Sequence, residues 1–199
     1  MATTETGLVN MALTQLGEDP IGDLTEDSKP GRFALSHYAN VRDEVLRAHN
    51  WNSAMKRAAL ALDTLIPVFG YARQFVLPSD FIKLSFTDTP RERYRIEGLR
   101  ILSDQQTLSI IYVYRLTNVA QMDPLLQDAI ATKLAAEMAV PITGNRDMMR
   151  DLVALYDQKL AEARFQDSRE GPLEQIQGSA WTDAWEGVSA EPYRPIESA

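Results

Sequence analysis

Apolar residues recur at helical spacing through the first third of the chain. Over residues 4–16, Leu8, Met11, Ala12 and Leu16 follow a 3.6-residue period and stop at Gly17, which predicts a short first helix. Ser28 then offers an N-cap with Pro30 tolerated in the first turn, and Ala34, Tyr38, Val41 and Val45 repeat on one face among Arg32, Asn40, Asp43, Glu44 and Arg47. A second helix is expected to about His49. The Ala-rich run 51–62 also reads as helix, either separated by a bend or continuing the helix before it.

The pattern changes at Pro67. Residues 73–77, ending at Pro78, and residues 93–96, 100–102 and 107–115 are rich in β-branched and aromatic residues and read as strands. Glu97-Gly98 suits a bulge or a sharp turn, and residues 103–106 suit a hairpin loop before the last strand. Helix returns at Asp123-Pro124, where Leu126, Ile130, Leu134 and Met138 line one face, and Ala131, Ala135 and Ala139 leave room for a close neighbour. Pro141 ends that helix. From Gly144-Asn145 another begins, carrying Met148, Leu152, Leu155, Tyr156, Leu160 and Ala163 inward and fading near Phe165. The expected fold is therefore α+β and mainly α: an amphipathic helical bundle with a small inserted antiparallel β-sheet and an extended C-terminal tail. Its parts are a helical body (1–66), a β-sheet lobe (67–118), the rest of the body as an antiparallel helix hairpin (119–165) and the tail (166–199).

Composition narrows the function. The 199 residues carry 20 Lys+Arg and 28 Asp+Glu, a net charge of −8, which argues against a protein that grips nucleic acid over its whole surface. With no cysteine, disulfide scaffolds, thiolate metal sites and thiol nucleophiles are excluded together. No apolar run approaches the ~20 residues of a membrane span. The N-terminus lacks the basic and apolar regions of a signal peptide, so export by that route is not expected.

Charge is unevenly spread. Residues 166–199 hold seven acids and two bases, yet also Trp181, Trp185 and Tyr193, which suit anchoring on another surface better than simple solvation. The other strong local feature is Arg91, Arg93, Arg95 and Arg100 around Tyr94. It reads either as a patch for phosphate or an acidic partner, or as the polar face of a strand, because alternate strand positions share one side. Chemistry is otherwise sparse. His37 and His49 lie about 120° apart on the second helix, so they cannot share a metal and read as surface or capping imidazoles. No nucleophile elbow, phosphate loop, dinucleotide fingerprint or zinc-protease motif occurs. Asp43-Glu44 and Glu26-Asp27 read as solvated or interface charges. No catalytic residue, metal or cofactor is expected.

Several runs resemble the tail tubular protein A family of short-tailed bacteriophages. The first half carries residues 12–17 (ALTQLG, with Leu16 and Gly17), 21–24 (IGDL), 42–47 (RDEVLR) and Trp51-Asn52-Ser53-Ala54 with Arg57. The second half carries Gly70-Tyr71-Ala72, Leu77-Pro78-Ser79-Asp80, residues 94–98 (YRIEG, with Gly98), 112–115 (YVYR), Asp123-Pro124-Leu125-Leu126 and 134–139 (LAAEMA). The likeness spans roughly residues 7–165 in order. It departs at Ser53, where the family usually has an aromatic, and does not extend over the tail.

The resemblance implies a non-enzymatic virion protein: a head-to-tail connector or adaptor, in a ring of about twelve copies beneath the portal protein. Such a ring joins the portal to the tail nozzle protein and surrounds the DNA exit channel, without sequence-specific DNA binding and without a membrane. It would be made in the host cytoplasm. On that layout Trp181, Trp185 and Tyr193 would dock the tail on the portal or a neighbouring subunit, and Arg91, Arg93, Arg95 and Arg100 would lie near the nozzle or the DNA. Leu16, Gly17, Trp51, Arg57, Tyr71, Pro78, Gly98 and Pro124 would serve the family's structure. Two other classes compete: a head-completion connector of a long-tailed phage, which the inserted sheet disfavours, and a small enzyme using scattered carboxylates.

Overall fold

The computed structural model describes Ala2, residues 4–90 and residues 93–170. Among these residues are four α-helices, α1 (Glu5–Leu16), α2 (Lys29–Ala48), α3 (Pro124–Thr143) and α4 (Arg146–Glu170). Thr4 Oγ1 accepts from the Gly7 amide and Gly17 closes α1 at φ 73°, so this helix begins and ends where its sequence signals lie. Ser28 accepts from the Gly31 amide and Pro30 occupies the first turn of α2. Asp123 accepts from the Leu125 amide at 2.8 Å to start α3, and Asn145 Oδ1 accepts from the amides of Asp147 and Met148 to start α4.

α3 is the centre of the helical core. Leu126, Ala129, Ile130, Ala131, Leu134, Ala135, Met138 and Ala139 are all fully buried, because α1, α2 and α4 pack around it. The close neighbours for which the alanine face leaves room are thus helices of the same chain. The helix also runs past Pro141 to Thr143, where Gly144 ends it at φ 71°. A proline near the end of a helix disturbs little, since few turns remain to be broken.

The expected bundle with one small inserted sheet is not the fold. Two antiparallel sheets are present: one of three strands in the order β1-β7-β4, the other of four in the order β2-β3-β6-β5. The strands are β1 (Met55–Ala59), β2 (Ala61–Leu62), β3 (Arg73–Val76), β4 (Phe81–Thr87), β5 (Tyr94–Glu97), β6 (Arg100–Ser103) and β7 (Ser109–Tyr114). Strand therefore begins within the Ala-rich run 51–62. Helix propensity is a weak local preference, and here pairing overrides it, with Met55 opposite Val113 and Ala59 opposite Ser109. Trp51 fixes the exit from α2, fully buried with its indole N–H donating to the Val45 carbonyl at 2.9 Å.

Residues 103–106 form no hairpin, since β6 and β7 belong to different sheets. The chain also changes sheet between β1 and β2, between β3 and β4, and between β4 and β5. The three-stranded sheet faces two ways. Val113 and Ile82 join the helical core, while Ile110 and Tyr112 join a second core with Phe75, Leu77, Ile101 and Leu108 between the sheets. Period-two alternation along β7 puts neighbouring residues into different cores. The residues expected to be an extended tail from 166 onward continue α4 to Glu170, and the remainder of that segment lies outside the described residues.

Candidate interaction site

Three features carry exposed or concentrated chemistry: a projecting loop, a cleft between two sheet edges and a polar junction where α4 meets the end of α2.

The loop links β2 to β3. Between Asp63 and Arg73 there is no charged residue, and Leu65, Ile66, Val68 and Phe69 are 62%, 75%, 97% and 86% exposed. Its base is clamped on both sides. Asp63 Oδ2 accepts from Arg100 Nε at 2.6 Å and from Gln74 Nε2 at 3.2 Å, and Asp63 Oδ1 accepts from the Leu65 amide. Across the loop, the Ala72 amide donates to Asp104 Oδ1 at 2.8 Å. The Arg100 hydrogen bond, followed by that of the Leu65 amide, holds the Asp63 carboxyl below its ordinary value. Large apolar side chains in a clamped loop form a surface suited to a partner.

The cleft lies between β4 and β5, which are edge strands of the two different sheets. Phe81, Ile82, Leu84, Tyr94, Ile96 and Leu99 supply apolar walls, and Arg47 and Lys83 supply positive charge, around a cavity of about 810 Å³. Arg47 Nη1 donates to the Ile82 carbonyl at 2.6 Å, tying α2 to the cleft wall. Nearby, Asp80 Oδ1 accepts from Tyr112 Oη at 2.9 Å and its Oδ2 accepts from Lys56 Nζ at 2.7 Å. Burial opposes the charge on Asp80, but the Lys56 and Tyr112 hydrogen bonds outweigh it and keep the carboxyl below its ordinary value. Burial, aided by Asp80, pushes the Tyr112 phenol up to about 12.

At the junction, Asp167 in the last turn of α4 accepts from His49 Nε2 at 3.1 Å and from the Asn52 amide at 3.0 Å, while its carbonyl accepts from Asn52 Nδ2. Arg164 Nη2 donates to the Ala48 carbonyl at 2.9 Å. Desolvation lowers the His49 pKa, Asp167 pulls the other way, and the charges of Arg164 and Lys83 lower it further. The neutral imidazole therefore donates from Nε2. His37, by contrast, stacks on Phe33 with centroids 3.9 Å apart and contacts that residue's carbonyl.

The arginines expected to form one patch are each held differently. Glu97 pairs with Arg100, so Arg95, bridged to Glu97 at 3.2 Å, and Arg100, which clamps the loop through Asp63, share one face of the β5-β6 hairpin; Arg93 is exposed before β5, and Arg91 lies outside the described residues. Trp181, Trp185 and Tyr193 also lie outside them. Of the positions that carry the family resemblance, Leu16 and Trp51 are core, and Gly17 and Gly98 hold positive φ of 73° and 58° at turns. Pro124 opens α3, and Pro78 accepts from the Phe81 amide where the chain changes sheet. Arg57 is exposed on β1, and Tyr71 is half-buried at the foot of the loop. Sequence reasoning missed the loop and the cleft. The signal for the loop was present, an uncharged run holding four large apolar residues, whereas the cleft joins strands whose proximity no local pattern reveals.

Among the described residues no group of three or more His, Cys, Asp or Glu is placed to hold a metal ion, and no helix is long and apolar enough to cross a membrane. No protein-family model matches the chain, and no curated protein sequence matches it either.

Proposed function

We propose that the chain is a structural virion subunit, a head-to-tail adaptor of a short-tailed phage that assembles as a ring, about twelve-fold, between the portal protein and the tail nozzle protein, with DNA passing through its lumen. The clamped apolar loop carries this reading. Four large side chains held in solvent at one end of a two-core body suit a surface that another subunit covers, and a surface that meets a different patch on the next copy closes into rings. The role needs no catalysis. The resemblance of residues 7–165 to the adaptor family supplies the particular assembly. In it Trp181, Trp185 and Tyr193 would anchor the C-terminal segment on the portal or a neighbouring copy, and the exposed Arg93 would face the nozzle.

Electron microscopy of the purified chain, alone and after incubation with portal-bearing capsids, tests the proposal. Rings seated beneath the portal are the expected result. A chain that stays monomeric and is not retained on those capsids overturns it.

A further inference from the structure

We propose that the cleft between β4 and β5 is the docking site for this chain's own segment 181–186, Trp-Thr-Asp-Ala-Trp-Glu, before the chain meets any other protein. The argument rests on where the described chain ends, on charge and on shape.

Glu170 is the last described residue, and Asp167 in the same turn is tied to His49 and to the Asn52 amide. His49 lies two residues beyond Arg47, whose guanidinium lines the cleft and grips the Ile82 carbonyl. Lys83, also in the cleft lining, lies close enough to His49 for its charge to disfavour the imidazolium. The chain thus leaves α4 beside the cationic end of the cleft. Ten residues separate Glu170 from Trp181, and ten residues span up to roughly 33 Å when extended, enough to run from that end along the strands.

Complementarity favours this occupant. The cleft combines aromatic and aliphatic walls with Arg47 and Lys83, while segment 181–186 pairs two tryptophans with Asp183 and Glu186. Its tryptophans have the size to lie against the apolar walls of this cavity of about 810 Å³, and its carboxylates match the two cations. The loop 64–72 has no acid to answer those cations, so a second copy's loop fits the cleft less well. Both flanking strands are sheet edges, which leaves backbone groups available to an extended segment. Docking in the free chain would shield two tryptophans that assembly could later draw out.

The chain has no cysteine, so a cysteine pair placed in the full-length protein gives an unambiguous readout. Ser85→Cys in the cleft lining with Ala184→Cys between the tryptophans should oxidise to an intramolecular disulfide, seen as a faster-running monomer on a non-reducing gel. Lys83→Glu added to the pair should cut the yield several-fold, as should high salt, whereas Arg150→Glu on the exposed flank of α4 should leave it unchanged. Because Trp51 is fully buried, tail tryptophan emission can be read above a constant background, and Lys83→Glu should shift it to the red and increase its quenching by acrylamide. A disulfide that forms only between chains would assign the cleft to a second copy and overturn the proposal. So would no disulfide at all in a variant whose circular dichroism matches the parent's.

Discussion

His49 ends α2 with its imidazole largely covered and hydrogen-bonded to Asp167. Its folded pKa lies below its free value of about 6.5, so the unfolded chain takes up the proton more readily. The stabilisation from the neutral ring is therefore complete above about pH 6.5 and is lost as pH falls through the window beneath it. The urea midpoint should fall between pH 7 and pH 5, and His49→Gln should flatten that slope. Removing the other partner acts differently. Asp167→Ala leaves the Asn52 amide without its acceptor and should cost about 1–3 kcal/mol in urea unfolding at neutral pH. That α2 would end at His49 was legible from the helical stripe, whereas the expected surface or capping imidazole is instead largely covered and held by Asp167. That partner was not legible, because the two are 118 residues apart in sequence and meet only once α4 packs along α3 and reaches the end of α2.

Elements were legible where the local code is strong. The caps at Ser28 and Asp123 and the stop at Gly17 act through neighbouring residues, and each lies where the sequence signals it, whereas α3 runs past the expected stop at Pro141 to Gly144. Strands were harder. Residues 55–59 (MKRAA) have no alternation that marks a strand, and their conformation comes from partners 50 to 58 residues away. β4 was missed for a related reason: register shifts between Phe81 and Lys83 and between Leu84 and Phe86 break the simple two-residue period. α3 misled in another way, since its small-residue face looked available and is covered from within. Leu134, wholly buried there, should cost about 2–5 kcal/mol when replaced by Ala, measured by urea unfolding at constant slope.

For the whole molecule, the loop separates assembly from stability. Val68 and Phe69 touch little of the folded chain, so Val68→Asp combined with Phe69→Asp should leave the urea midpoint within about 0.5 kcal/mol of the parent. If the adaptor reading holds, the same pair abolishes ring formation in sedimentation velocity. Unchanged rings would remove the loop from the interface.

Tyr112 and Val113 are adjacent on β7, yet one belongs to the core between the sheets and the other to the core among the helices. About 3.3 Å of backbone separates the two interiors, and neither can be dismantled without freeing the strand that the other needs. The helical part is therefore no independent folding unit on which a β module rides. Calorimetry should record a single transition whose van 't Hoff and calorimetric enthalpies agree, and hydrogen exchange should give the amides of β7 and α3 the same opening free energy.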